Sequence, residues 1–262
     1  MSTILDVTQL TRSFGGLTAV SNVDLELAAG ELVGLIGPNG AGKTTVFNLL
    51  TGVYPPSSGT IVFTSHGRTT SIGGKAPFAI CRAGVGRTFQ NIRLFKELTV
   101  LENVMIAFQQ NQRYPLVTSF LRLPGFGKAE DEIRAGAREL LEVMHLGHKA
   151  DEYAVNLSYG EQRHLEIARA LATRPTLLLL DEPAAGMNPT ETANLTRLIR
   201  QVRQDFGLTI LLIEHDMSLV MQVCERIYVL DHGVVIAAGT PDEVRADPKV
   251  IEAYLGEEVD HA

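Results

Sequence analysis

An α/β fold, a sheet core interrupted by a helical lobe, is what this 262-residue sequence predicts, and three observations carry it. Leu32-Val33-Gly34-Leu35-Ile36 is apolar throughout or nearly so, as expected of a strand buried on both faces of a parallel sheet. Sheet-type sequence returns far downstream, from Thr176 to Leu180 and from Thr209 to Glu214. Between these, from about Asn91 to Gly160, the pattern turns helical. The chain is longer than one average domain and shorter than two, so a single bilobed unit is expected.

Taken in order, Ile4-Leu5-Asp6-Val7 and Val23-Asp24-Leu25-Glu26-Leu27 alternate apolar and polar residues and read as strands, with Gly15-Gly16 and Ala29-Gly30 marking turns. The Leu32 strand runs into a glycine-rich turn and a helix from about Lys43 to Thr51. Tyr54-Pro55-Pro56-Ser57-Ser58-Gly59 then breaks the chain before a short strand, Thr60-Ile61-Val62-Phe63. Thr99-Val100-Leu101-Glu102 and Ser158-Tyr159-Gly160-Glu161 both fit the T/S-x-x-E box that opens helices. Arg113 to Lys128, punctuated by proline and glycine, reads as an insertion in the lobe. Its cationic residues, Arg113, Arg122 and Lys128, stand among Leu116, Val117, Phe120, Leu121 and Phe126, a mixture suited to a membrane partner or headgroup region and equally to a surface loop covering the lobe. A hairpin is expected from Arg226 to Leu230 and Val234 to Ala238, turning at Asp231-His232-Gly233. Thr240-Pro241-Asp242-Glu243 opens a last helix with proline at its first position. The expected organisation is a core of residues 1–90 and 161–240, a helical subdomain at 91–160, and a helical tail at 241–262.

Composition narrows the class. Hydrophobic residues make up 45% of the chain and charged residues 20%, which excludes wholesale disorder. The strongest apolar runs, Leu177–Leu180 and Leu208–Ile213, are too short to cross a bilayer, and the opening Met1–Asp6 shows no secretory-signal pattern. Cys81 and Cys224 stand alone, without metal-ligand spacing, as suits a reducing compartment. A net charge of −7 without a basic run argues against a general nucleic-acid binder.

Chemistry concentrates in a few short segments. Gly37-Pro38-Asn39-Gly40-Ala41-Gly42-Lys43-Thr44-Thr45 matches GxxxxGK[ST] between a buried strand and a helix, the context that makes the pattern a phosphate site. Gly37, Gly40 and Gly42 allow backbone N–H groups to converge on phosphate oxygens, with the helix N-terminus adding its positive dipole end. Lys43 is placed to reach the β- and γ-phosphates and the Thr44 hydroxyl to ligate Mg²⁺. Leu177-Leu178-Leu179-Leu180-Asp181-Glu182 is a buried strand ending in two carboxylates, which at the C-terminal end of a parallel strand face the ligand crevice. Asp181 suits Mg²⁺, mostly through water, and Glu182 is free to orient an attacking water. His145 and His148 are expected as a solvated pair able to share a helix face.

Leu157-Ser158-Tyr159-Gly160-Glu161-Gln162, opening a helix about twenty residues before the acidic strand, resembles the LSGGQ signature of ATP-binding-cassette (ABC) ATPases, with Tyr159 and Glu161 as departures. The resemblance extends over nearly the whole chain. Thr88-Phe89-Gln90 is similar to the Q-loop, implying that Gln90 ligates Mg²⁺ and links nucleotide to the helical lobe. Ala185-Gly186-Met187-Asn188 stands at the D-loop with Asn188 replacing the usual Asp, and Ile213-Glu214-His215-Asp216 resembles the H-switch, which makes His215 the γ-phosphate sensor. Phe14 occupies the place of the aromatic that stacks on adenine. The fold so implied is a P-loop NTPase of ABC type: a mixed-sheet RecA-like core, an antiparallel β subdomain and an inserted α-helical subdomain. Gly86–Gln90, Glu182–Pro189, Glu214–Met217, the Tyr of the signature, Leu165–Arg169 and Ala253–Gly256 resemble more closely the ATP-binding subunits of branched-chain amino-acid importers.

What this resemblance implies is an ATPase motor, with ATP and Mg²⁺ as cofactors, on the cytoplasmic face of the membrane. Two copies, identical or sister subunits, would sandwich ATP, with Ser158 and Gly160 of one facing the P-loop of the other. Integral permease subunits and, indirectly, a solute-binding protein would be its partners, and nucleic acid would not. Two further readings stay open: a soluble ABC ATPase of assembly or repair type, and an importer subunit for urea or short amides. The single P-loop, the missing zinc cysteines and the acidic charge weigh against repair.

Overall fold

The computed structural model describes residues 2–109 and 126–260. Two sheets organise it. A four-stranded antiparallel sheet has the order β2-β1-β4-β5, from β1 (Thr3–Phe14), β2 (Leu17–Ala28), β4 (Ser58–Ser65) and β5 (Arg68–Ser71). The second has six strands in the order β10-β9-β3-β8-β7-β6, from β3 (Leu32–Ile36), β6 (Val85–Arg87), β7 (Leu177–Asp181), β8 (Thr209–Ile213), β9 (Arg226–Asp231) and β10 (Val234–Gly239). Every pair in it is parallel except the β9–β10 hairpin. Continuous apolar sequence in β3, β7 and β8 corresponds to strands buried at every position. Alternate residues still serve different faces. Leu32, Ile36, Leu178, Leu180, Ile210 and Leu212 enter one core, while Val33, Leu35, Leu177, Leu179, Leu211 and Ile213 enter the other.

The second of these cores is shared with the antiparallel sheet and with α1 (Lys43–Leu50). The first takes in α3 (Val100–Phe108) and α4 (Phe126–Val143) of the lobe, and α5 (Tyr159–Ala172), which leads from the lobe back to the sheet. It also takes in α6 (Pro189–Phe206), α7 (Met217–Val223) and α8 (Pro241–Ala246). Four helices, α3, α5, α6 and α8, open on reciprocal capping boxes, with Thr99, Ser158, Asn188 and Thr240 as caps. The chain closes on α9 (Pro248–Asp260). No described helix is long and apolar enough to cross a membrane.

The structure departs from the sequence reading in local ways. The first two strands run to twelve residues each, longer than their alternating segments. Edge strand β5 and the short helix α2 (Pro77–Ala83) were not expected: Arg68-Thr69-Thr70-Ser71 has no apolar residue, and seven residues give too little periodicity. The shared helix face of His145 and His148 is corrected. Helix α4 ends at Val143, His145 adopts a left-handed φ of 59°, and His148 lies in a separate 3₁₀ turn. The expected insertion at 113–128 lies outside the described residues up to position 125, and residues 126–128 begin α4.

Phe47 on α1 is fully buried in the core that joins the two sheets. Phe47→Ala should therefore cost roughly 3–5 kcal/mol of stability, read as a lower denaturation midpoint in urea.

Candidate active site

Parallel pairing brings the carboxyl ends of the central strands to one edge. Leu35 and Asp181 both pair with Ile213, and Arg87 pairs with Leu179. The residues that follow, Gly37, Glu182, Glu214 and Thr88, therefore leave the sheet on the same side, at a place where ligands of open α/β sheets bind.

The loop after β3 is shaped by glycine. A Cβ on Gly37 would stand 1.9 Å from the Leu230 carbonyl oxygen, and one on Gly42 would stand 2.6 Å from that of Ala19. Both residues have positive φ, 148° and 103°, so no other residue type fits either place. Gly42 is the N-cap of α1, so Lys43 begins the helix. The Lys43 ammonium is buried and donates to the carbonyls of Gly37 and Pro38, each at 2.7 Å. Asn39, Gly40 and Thr44 are exposed, Ala41 is buried and Thr45 half-buried. The β1–β2 hairpin, whose tip carries Phe14, lies beside the loop through Ala19. Phe14 is partly exposed, with the Arg12 guanidinium 4.5 Å from its ring centroid and Tyr54 edge-on at 5.1 Å.

Two carboxylates end β7 in different environments. Asp181 is buried; its Oδ2 pairs with Arg87 at 2.8 Å, and its Oδ1 is buried with no hydrogen-bond partner. Arg87 is in turn fixed by Asn48 and Thr51 of α1 and its cap, at 2.8 and 2.9 Å. Glu182 sits at a left-handed φ of 45°, unusual for a residue other than glycine. Its N–H donates to Ile213 at 2.9 Å. Glu182 Oε2 accepts from the Gln90 amide at 2.7 Å and lies 3.9 Å from His215 Nδ1. His215 is largely exposed, and its Nδ1 is 3.8 Å from Glu214 Oε2.

Ser158 caps α5, accepting from the Glu161 N–H, while the Glu161 carboxylate accepts from the Ser158 N–H and hydroxyl at 2.9 Å each. Glu161 also pairs with Lys149 at 2.8 Å. Burial raises the Glu161 pKa, but Lys149 and Ser158 outweigh it and hold the carboxyl below its usual range. Gly160 packs near Glu191 of α6, and the Tyr159 ring lies over Gly186. The structure thus gathers Lys43, Gln90, Asp181, Glu182 and His215 on the sheet edge, and sets Ser158 and Gly160 on the lobe.

Three residues of this architecture were not singled out from sequence: Arg87, and the pair Arg163 and Glu166. Arg163 is fully buried and donates to the carbonyls of Phe89 and Gln90 and to Glu166, while Glu166 accepts from the Phe89 N–H. Their i, i+3 spacing on a helix was the available signal, but nothing marked the partner loop.

A phosphate-type loop enclosing its own lysine, beside an acid-tipped parallel strand, defines the P-loop NTPase class. The chain belongs to the ABC transporter family, which matches residues 20–185, with residues 234–260 matching the branched-chain amino acid ATP-binding cassette transporter family. It is 51% identical to the high-affinity branched-chain amino acid transport ATP-binding protein LivG of Escherichia coli (strain K12) over 97% of this chain and 98% of that protein. The fold is similar to the ADP conformation of MJ1267, an ATP-binding cassette of an ABC transporter, at TM-score 0.83 and 32% identity, covering 98% of this chain and 100% of that one. It is also similar to a dimeric post-hydrolysis state of the cassette MJ0796 bound to ADP and Pi, at TM-score 0.73 and 26% identity, over 91% of this chain and 99% of that one.

Asn188 at the cap of α6 accepts from the Glu191 N–H at 3.0 Å, a bond that Asp makes equally well. Asn188→Asp should leave stability within about 0.5 kcal/mol, whereas Asn188→Ala should cost roughly 0.5–2 kcal/mol in the same unfolding measurement.

Proposed function

We propose that this chain is the ATP-hydrolysing motor subunit of an importer of branched-chain amino acids. The observation that carries the reading is the likeness to LivG over nearly the full chain, C-terminal segment included. The geometry of Lys43, Asp181, Glu182, Gln90 and His215 supplies a chemistry to go with it.

In this reading the P-loop, Gly37 to Thr45, holds the phosphates of ATP, with Phe14 against adenine. Lys43 exchanges two carbonyl partners for phosphate oxygens, a charge-assisted bond replacing neutral ones. Mg²⁺ fits the donor set. The orphaned Asp181 Oδ1 can accept from a metal-bound water, and Thr44 and Gln90 offer two further oxygen ligands. When bound, the ion neutralises charge on the phosphate oxygens. Glu182 orients the attacking water and takes its proton, and His215 positions the γ-phosphate end. Gln90 reports on this place through its bond to Glu182.

Ser158 and Gly160 complete the site of a second ATP-binding subunit, identical or sister, so that ATP closes the pair. Closure is passed to integral permease subunits, which receive solute from a binding protein, and the chain works peripherally on the cytoplasmic face. Residues 1–90 and 161–240 act as the nucleotide-binding core, 91–160 as the helical subdomain and 241–262 as the tail. Co-purification with permease subunits and amino-acid-stimulated ATP turnover of that complex test the reading; association with assembly or repair proteins instead would overturn it.

Three variants test the residue roles. Glu182→Gln keeps shape but loses the base, so single-turnover hydrolysis in the assembled complex should fall roughly 10²–10⁴-fold with ATP affinity retained. Lys43→Ala should lose the affinity itself. A Cβ at Gly160 meets only an ordinary 3.5 Å contact with Glu191 Oε1, so the backbone admits a side chain there, and ATP binding by the Gly160→Asp monomer checks that its carboxylate is accommodated beside Glu191. The new carboxylate would oppose the partner's γ-phosphate. ATP binding by the monomer should survive while ATP-driven dimerisation, followed by gel filtration, is lost.

A further inference from the structure

Glu214 is a fully buried carboxylate to which the reading above gives no role. Its partners are backbone amides from two different segments. Oε1 accepts the Ala184 N–H at 2.7 Å, from the turn that follows Glu182. Oε2 accepts the His215 N–H at 3.2 Å, with the Asp216 N–H at 3.5 Å, from the loop that follows β8. One side chain thus spans the turn carrying the proposed base and the loop carrying the proposed phosphate sensor. Next to it, the Glu182 N–H donates to the Ile213 carbonyl at 2.9 Å, so the two segments are laced together twice. The His215 ring stands between the Glu214 and Glu182 carboxylates, 3.8 and 3.9 Å from them.

We propose that Glu214 is a positioning residue for hydrolysis, a bracket of fixed length that sets Glu182 and His215 relative to each other.

The proposal rests on the roles given to Glu182 and His215 above. A carboxylate is needed because both of its oxygens must accept, and ionised acceptors make the stronger bonds. Burial pushes the Glu214 carboxyl up, and the amides of Ala184, Asp216 and His215 act against that rise by favouring the charged form. The bracket also explains how Glu182 is held at a φ of 45°. Strained backbone persists where its surroundings over-determine it, and here the turn is tied on both sides of Pro183, to the last residue of β8 and to Glu214 just beyond it. Gln at position 214 would retain the volume but aim an NH₂ group at one of the two amide sets, donor against donor, and so open one arm.

The experiment is a double-mutant cycle in the full-length chain assembled with its membrane subunits, reading single-turnover ATP hydrolysis. Glu214→Gln should lower kcat roughly 10- to 100-fold with the KM for ATP within about two-fold, since a displacement near 1 Å costs on the order of 10²-fold. In the Glu182→Gln background the same substitution should change the residual rate by no more than about three-fold, because a group that acts through the base has little left to act on. Glu214→Asp keeps the charge on a shorter arm and should fall between wild type and Gln. It also decides the matter if the Gln variant does not fold. Equal rate factors in both backgrounds, or wild-type kcat for Glu214→Gln, would overturn the proposal while leaving Glu182 as the base. Wild-type turnover of Glu182→Gln alone would overturn the role of base given to Glu182, and this proposal with it.

Discussion

Parallel pairing among β3, β6, β7 and β8 is the constraint on which the rest of the structure depends. Because Leu35 and Asp181 share Ile213 as partner, the first residues beyond three strands emerge in one row. Slipping any of these strands by one residue would exchange its two side-chain sets between the cores. Leu178 and Leu180 would then face the antiparallel sheet, and the carboxylate of Asp181 would leave Arg87. Burial on both faces therefore fixes the register, and the register fixes the chemistry.

That arrangement carries costs that core packing must offset. Asp181 with Arg87 and Arg163 with Glu166 are ion pairs almost wholly removed from water. Such pairs gain little stability once the cost of desolvating them is counted, yet losing one partner typically costs several kcal/mol. Glu182 adds backbone strain on the order of 1–3 kcal/mol. These departures from an apolar, relaxed interior cluster at the sheet edge and at the joint between sheet and lobe. Elsewhere, Thr209 apart, the side chains of β3, β7 and β8 are apolar and closely packed.

Much of this was legible in the sequence, and the reason differs by segment. The Leu32, Thr176 and Thr209 runs declared strands because apolar residues with glycine or threonine fill them, the last as far as Glu214. Thr99, Ser158 and Thr240 declared helix starts because capping is local chemistry, settled within four residues. Strand β5 is polar throughout and was missed although its partner β4 is only a two-residue turn away. Elsewhere local signals failed where a structure depends on distant partners. The roles of Arg87 and Arg163 depend on Asp181, ninety-four positions away, and on the backbone of Phe89 and Gln90, seventy-four and seventy-three positions away. Glu214 was read as one letter of a motif, since its amide partner outside that motif, Ala184, is thirty residues upstream.

The two departures from the signature pattern find partners at the head of their own helix. Tyr159 points its hydroxyl at Arg163, 3.1 Å from Nη2, and Glu161 turns back to close the cap on Ser158. Neither disturbs the Ser158 and Gly160 positions at the head of α5. What α5 must preserve is its grip on residues 89 and 90, made through backbone carbonyls and one N–H by the buried Arg163 and Glu166. Three bonds to main chain hold the loop whatever its side chains, so α5 and the Gln90 loop are fastened as one piece. Gln90 then meets the acidic strand through a single side-chain bond, to Glu182 at 2.7 Å. The loop is therefore held from both sides, by α5 through residues 89 and 90 and by the acidic strand through Thr88, whose N–H donates to Leu179 at 3.0 Å and whose hydroxyl accepts from the Asp181 N–H at 3.3 Å, while Gln90 alone reaches the proposed base.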